Sequence, residues 1–219
     1  MLTFALSKGR LADKILKMLK ELNLCDITID EDDRRLIIES SDLKYRFFLA
    51  KPSDVPTFVD SGVADLGVVG KDTILEEGRD IAEVLDLGFG KCRMCVCGKV
   101  GDNSYLNKTT LNVATKYPNI AKHYFESRHQ NTNIIKLNGS VELGPITGLS
   151  DVIVDIVESG KTLVENGLEV ITDVCDLSAR VIVNKVSIKT KYEELSKILK
   201  EMEENLWESM NLKKNYLKN

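Results

Sequence analysis

Apolar and polar positions along the chain change period repeatedly, from two to near four and back. Leu2 to Leu6 is a short apolar run that reads as a buried strand. After Ser7-Lys8-Gly9-Arg10, apolar residues recur at Leu11, Ile15, Leu19 and Leu22, the spacing of one helix face. Ile27–Ile29 and Arg35–Glu39 read as strands around the turn Asp30–Asp33, and Tyr45–Ala50 as a further strand. Pro56–Gly62 predicts a helix ending at glycine, and Ala64–Val69 a parallel strand. The helical pattern stops around Leu85-Asp-Leu-Gly-Phe-Gly90, a plausible hinge. A second series follows: strand 92–98, strand 111–114, helix 118–127, strand 132–137, strand 151–156, helix 162–167 and strand 169–173. Ala179–Asn184 can then return the chain to the first half, and Leu195, Ile198, Leu199, Met202 and Leu206 stripe a final helix.

This alternation predicts an α/β fold in two lobes with a cleft between them, where a small ligand would sit. Lobe I comprises residues 1–90 plus 180–219, and lobe II residues 91–179. The tail from Asn211 to Asn219 reads as a frayed, solvated end.

Charge and composition narrow the partners. The 219 residues carry 30 Lys plus Arg against 34 Asp plus Glu, a net charge of −4, which argues against a polybasic nucleic-acid binder. No apolar run approaches the ~18 residues of a membrane span, and Lys8 and Arg10 follow the first strand too soon for a secretory signal. A cytoplasmic setting is expected. Five cysteines are an odd count for a disulfide framework. On a strand, Cys95 and Cys97 share one face and Cys92 takes the other, so the three cannot close a tetrahedral metal site without a turn and a fourth ligand. The two histidines, His123 and His129, fall near helix 118–127 and read as surface residues.

The strongest chemical signal is the apolar strand from Asp151 running into Glu158-Ser159-Gly160-Lys161-Thr162. Backbone N–H groups, two hydroxyls and a lysine at a helix start make an anion site, most naturally for phosphate. A nucleotide-hydrolase P-loop would need glycine where Asp155 stands, so that motif fails. An acid at 155 suits sugar hydroxyls, and the loop reads as a grip on a phosphorylated ribose, with Asp155 on the hydroxyls and residues 159–162 on the phosphate. A plain strand-to-helix turn with Thr162 as N-cap would look the same in isolation.

The loop resembles that of phosphoribosyltransferases, and its single acid, Asp155 followed by Ile156, is similar to the ATP phosphoribosyltransferase family. Other segments agree: Lys8-Gly9-Arg10-Leu11, Asp54-Val-Pro56, Gly62 to Gly70 with Asp72, Val113-Ala-Thr-Lys-Tyr-Pro118, and Gly139-Ser-Val-Glu142 before Gly148-Leu149 and Asp151. The resemblance implies two lobes of the periplasmic-binding-protein-like type II class. It implies transfer of phosphoribosyl from phosphoribosyl pyrophosphate to N1 of ATP, giving phosphoribosyl-ATP and pyrophosphate, the first step of histidine biosynthesis. Carried onto this chain, Asp155, Glu158, Ser159, Gly160, Lys161 and Thr162 would bind the phosphoribosyl donor. Lys8, Gly9, Arg10, Lys51, Gly70 and Asp72 would bind ATP, with Lys8, Arg10 and Lys51 as an electrostatic wall rather than acid–base catalysts. Glu142 would lie beside Mg2+ and pyrophosphate, through water or directly. Lys51 stands where the resemblance leads one to expect arginine in many relatives, keeping the charge without the bidentate fork, and Ser159 stands where it leads one to expect the loop's threonine. Arg34 and Arg35 would reach a neighbouring subunit's cleft. The length matches the short form, which works as homodimers in a hetero-octamer with a regulatory paralogue of histidyl-tRNA synthetase. A non-catalytic solute-binding module and a kinase are the competing readings.

Overall fold

Apolar runs that lack an alternating polar face are buried on both sides, and two sheets are built from them. The computed structural model describes residues 1–27 and 35–216. They fall into two units, Met1–Gly90 with the chain from Ser178 onward, and Lys91–Leu177.

The first unit contains β1 (Leu2–Ser7), α1 (Arg10–Glu21), β2 (Ile37–Glu39), β3 (Tyr45–Ala50), α2 (Val55–Asp60), β4 (Leu66–Gly70), α3 (Lys71–Glu77) and β5 (Ala82–Asp86). The second holds β6 (Cys92–Lys99), β7 (Thr110–Thr115), α4 (Pro118–Glu126), β8 (Asn131–Lys136), α5 (Leu143–Thr147), β9 (Val152–Val157), α6 (Lys161–Glu165) and β10 (Leu168–Leu177). The first unit is completed by β11 (Ala179–Val183), α7 (Lys185–Thr190) and α8 (Tyr192–Tyr216).

The first sheet has the order β2-β3-β1-β4-β11-β5, with β3, β1 and β4 mutually parallel and β11 antiparallel to both neighbours. On one face Phe4 stacks on Phe47 at 4.7 Å, and Ile15 and Leu19 of α1 join Leu195, Ile198 and Met202 of α8. The other face takes Val55 and Val59 of α2 against Ala5 and Ile182. Gly67 makes this packing possible, because a Cβ there would lie 2.8 Å from Val55 and 2.9 Å from Val59. Asp65, just before β4, is buried. It accepts hydrogen bonds from the Thr3 N–H (2.9 Å), Ser187 Oγ (2.7 Å) and Lys191 Nζ (2.8 Å). Burial works to raise its pKa, but these donors hold it below the usual carboxylate range.

The second sheet has the order β10-β6-β9-β7-β8, with β9, β7 and β8 parallel. Met94 and Val96 pack with Ile120 and Phe125 of α4, while Cys95 and Cys97 face the opposite cluster with Leu163 and Leu168. Cys92 packs with the first of these clusters, across the sheet from Cys95 and Cys97. Burial pushes the Cys95 and Cys97 thiols up to about 12, so both stay protonated and inert at neutral pH.

Several elements differ from the sequence reading. The helical pattern ends at Gly78, whose φ of +57° closes α3, and 82–86 is a strand instead of helix. The strand expected over 35–39 is confined to Ile37–Glu39, and the parallel strand expected over 64–69 is Leu66–Gly70. The helix expected over 162–167 is one turn, Lys161–Glu165. The strand expected over 169–173 runs Leu168–Leu177 with two register shifts. Helical backbone continues through Tyr216, where the tail from Asn211 was expected to fray. Of the segment expected to form a strand and turn, Thr28 to Asp33 lie outside the described residues, as does Arg34. Arg35 is exposed just before the edge strand β2.

Candidate active site

Parallel strands end on one side of their sheet, and the loops leaving those ends gather there. In the second unit these are the loops after β7, β8 and β9. They bring Lys116, the segment 137–142 and the segment 158–160 to one edge. A pocket of about 270 Å³ at this edge is lined by Glu142, Asp155 and every residue from Glu158 to Thr162. The six donor-binding residues expected from the sequence and Glu142 are thus brought together.

Asp155 sits within β9, half-buried, in register with Cys95 of β6. Burial pushes its carboxyl above the usual range, and the Glu142 charge adds to this. A backbone hydrogen bond from Ile156 and the Lys116 charge oppose it. Such a carboxylate gains by accepting hydrogen bonds from a ligand's hydroxyls.

Gly160 is the N-cap of α6 and has φ +73°, the left-handed region open to glycine at least cost. Thr162 is therefore inside the helix, its hydroxyl makes no cap bond, and the capping alternative fails. Ser159 Oγ accepts weakly from the Lys161 N–H at 3.4 Å. The N–H groups of the first helical turn have no intrahelical acceptor, so they are donors available to an anion. A helix this short contributes little macrodipole, and the grip rests on these local N–H and hydroxyl groups. The Lys161 side chain lies near Glu165 at 3.7 Å and is 79% exposed, so its ammonium is shared with α6's solvent face.

Glu142 is the N-cap of α5. It reaches the pocket because Gly144 lets α5 sit hard against β7: a Cβ on Gly144 would lie 2.8 Å from Ala114 Cβ and 2.5 Å from Ser150 Oγ. Ser150 Oγ is buried there with no hydrogen-bond partner. The apolar fit of this corner is kept at that cost.

In the first unit β1, β3 and β4 also end on one side. Lys8-Gly9-Arg10, Lys51 and Gly70 with Asp72 follow those ends, all belonging to one sheet edge. Lys8, Arg10 and Lys51 are exposed. The turn is fixed by Lys8 N–H donating to Ala50 O at 3.0 Å and by Ser7 Oγ donating to Val68 O at 3.0 Å. Gly70 permits a close approach, but of the Asp72 carboxylate itself: a Cβ on Gly70 would lie 2.2 Å from Asp72 Oδ1. Lys71 pairs with Glu83, which also meets Arg180 at 3.2 Å, tying this corner to β5 and β11. His123 is elsewhere, on α4, with Nδ1 2.7 Å from Asn119 O.

In the sequence Lys116 and Thr115 stand out only as part of the Val113–Pro118 motif. Their signal was a strand-ending Thr-Lys-Tyr followed by Pro118 at the first position of α4.

Two α/β units, entered and left through two chain crossings, define a protein of the periplasmic-binding-protein-like type II class. The sulphonate-binding protein SsuA from Escherichia coli shares this fold at 10% identity and a TM-score of 0.59, covering 98% of this chain and 71% of that one. Residues 51–204 match the family model described as HisG, ATP phosphoribosyltransferase. Over 211 residues the chain is 57% identical to the ATP phosphoribosyltransferase of Lachnoclostridium phytofermentans, covering 95% of this chain and 98% of the relative. Its fold matches the ATP phosphoribosyl transferase (HisG:HisZ) complex from Thermotoga maritima at a TM-score of 0.83 and 37% identity, covering 95% and 100%. The chain belongs to the ATP phosphoribosyltransferase family and is a pentosyltransferase of histidine biosynthesis. The solute-binder and kinase readings fall with that result.

Proposed function

We propose that the second unit holds phosphoribosyl pyrophosphate in the Asp155–Thr162 pocket, and that the carboxyl edge of the first unit holds ATP. The reaction joins N1 of the adenine to C1 of phosphoribosyl pyrophosphate and releases pyrophosphate. The observation carrying the assignment is the half-buried Asp155 carboxylate sharing one pocket with Glu158–Thr162.

Asp155 accepts hydrogen bonds from the ribose hydroxyls. The N–H groups of residues 160–162 and the hydroxyls of Ser159 and Thr162 hold the 5-phosphate, and Gly160 lets the backbone approach it. Glu158 lines the rim of the same pocket. Lys8, Arg10 and Lys51 face the triphosphate or the departing pyrophosphate, while Gly9, Gly70 and Asp72 shape the ATP side. Adenine N1 already carries a lone pair, so the chain need not activate a nucleophile. Its residues act by orienting the reactants and by favouring charge that develops on the leaving group.

Among the described residues no three His, Cys, Asp or Glu side chains could together hold a metal ion. The Glu142 carboxylate at this pocket suits a Mg2+ ion that arrives on the substrate's phosphates and keeps much of its water. When bound, that ion would neutralise pyrophosphate charge, with Glu142 facing it.

The partner is a regulatory subunit paralogous to histidyl-tRNA synthetase, with catalytic homodimers inside a hetero-octamer; that the Thermotoga maritima relative was solved as a HisG:HisZ complex supports a second kind of subunit and does not bear on the stoichiometry. A cytoplasmic setting is proposed from the family's biosynthetic role. Among the described residues no helix is long and apolar enough to cross a membrane.

Mixing the full chain with ATP, phosphoribosyl pyrophosphate and Mg2+, alone and with the regulatory subunit, tests the reading. Rising absorbance of N1-substituted adenine with equimolar pyrophosphate is expected. Protection of the amides of residues 158–162 from exchange by phosphoribosyl pyrophosphate alone is expected too, and protection confined to other loops would overturn the site assignment.

A further inference from the structure

Asp155 lies inside β9 and the other residues assigned in the second unit lie past strand ends, so something must fix the relative height of those strands. β7 and β9 run parallel with Thr115 opposite Val154. Thr115 is the last residue of β7 and is fully buried. Its hydroxyl donates to the Val154 carbonyl at 2.6 Å and accepts the Tyr117 N–H at 2.8 Å. Its own carbonyl accepts the Leu137 N–H at 3.0 Å. Val154 immediately precedes Asp155, Tyr117 immediately follows Lys116, and Leu137 opens the segment leading to Glu142. One residue thereby joins the strand that carries the acid to the strand-end loops that carry the cation and the second carboxylate.

We propose that Thr115 is a positioning residue for phosphoribosyl pyrophosphate, its hydroxyl pinning the Asp155 end of β9 to the Lys116–Tyr117 turn. This rests on the assignment of Asp155 to the donor. Thr115 has no exposed surface and touches no substrate; it acts through Asp155 and Lys116. Small displacements of groups that orient a reactant cost rate steeply, so a bond holding Asp155's neighbour matters beyond its own strength. The charge of Lys116 also acts on Asp155 against the effect of burial, consistent with the two being held near each other.

The side chain can be dissected. Thr115→Val keeps the volume but removes the hydroxyl, leaving the Val154 carbonyl and the Tyr117 N–H without that partner. Thr115→Ser keeps the hydroxyl and removes a buried methyl. A residue needed only for packing would suffer more from serine, and a residue needed for its hydrogen bonds would suffer more from valine.

Steady-state kinetics of the full chain, varying each substrate at saturation of the other, give the test, with Asp155→Asn as reference. For Thr115→Val, KM for phosphoribosyl pyrophosphate should rise about tenfold while KM for ATP stays within about twofold. Thr115→Ser should keep both constants near those of the parent, even with a lower melting midpoint. Should the valine variant not fold, Thr115→Ala and Thr115→Ser, which differ by the hydroxyl alone, make the same comparison. Equal changes in both KM values, or serine as impaired as valine or alanine, overturn the inference. Unchanged valine kinetics beside an impaired Asp155→Asn overturn it while leaving the donor pocket in place. An unimpaired Asp155→Asn removes the donor pocket and this inference with it.

Discussion

On the proposed assignment, the two carboxyl edges would grip phosphate with different materials. In the second unit the grip is one continuous stretch, Asp155 to Thr162, built from backbone N–H groups, hydroxyls and one half-buried acid. In the first it is dispersed over the ends of β1, β3 and β4 and relies on the exposed cations Lys8, Arg10 and Lys51. A continuous, partly buried loop imposes shape, whereas long solvated side chains impose charge. The difference suits a sugar phosphate that must present one carbon and a nucleotide whose triphosphate need only be anchored.

If shape governs the second unit, its acid should be the most sensitive position. Asp155→Asn should lower kcat/KM for phosphoribosyl pyrophosphate about a thousandfold, measured at saturating ATP, because a buried acceptor becomes partly a donor. The same variant should melt at a higher temperature. A carboxyl whose pKa is raised by folding binds its proton more tightly in the native state. Its charged form therefore favours the fold less as pH climbs through that raised value, and asparagine relieves the cost. By the same sign, donor affinity should fall on acidification earlier than for an ordinary aspartate. A melting midpoint that drops in Asp155→Asn would contradict this account.

Gly160→Ala comes next. Space exists for the methyl, whose nearest neighbour is Val157 at 3.8 Å, so the cost lies in the backbone at φ +73°, about 1 kcal/mol. A fall of about thirtyfold in kcat/KM for the donor is expected, exceeding that stability cost, because the phosphate approaches this backbone. In the first unit, Lys8→Ala should raise KM for ATP about tenfold, and added salt should mimic it in the parent protein. An ATP constant indifferent to ionic strength would break the contrast. Smallest is Thr162→Val, about a fivefold rise in KM for the donor with an unchanged melting midpoint, since the hydroxyl caps nothing. A clear loss of stability would restore the capping role.

The same contrast decides what could be read from the sequence. The Asp155–Thr162 grip was legible because it is contiguous: an apolar strand, one acid, then hydroxyls around glycine. The first-unit edge needed strand order as well, because nothing local says that Lys51 follows, and Gly70 ends, the two parallel strands that flank β1. The long β10 was read short because its register shifts between Val170 and Thr172 and between Asp173 and Cys175 break the two-residue alternation. β5 was missed because its side chains are mostly half-exposed or exposed and it is paired through β11. The start of α7 did carry a signal: Asn184 Oδ1 accepts from both Val186 and Ser187 N–H at 2.9 Å, the mark of an N-cap. Thr115 lies one residue past the strand expected over 111–114 and nothing local marks it as a clamp, since its partners, Val154 and Tyr117, meet only once β7 and β9 are adjacent.

The placement of β11 between β4 and β5 sets an order of assembly during synthesis. When the ribosome has made the first 90 residues, β5 still lacks β11, its one partner strand among the described residues, so the amino-terminal sheet must wait open. The inserted half has its whole sheet by Leu177 and can close first. A nascent chain stalled before residue 179 would therefore carry a complete second sheet, with the pocket proposed for the donor, while the first sheet still awaited its last strand.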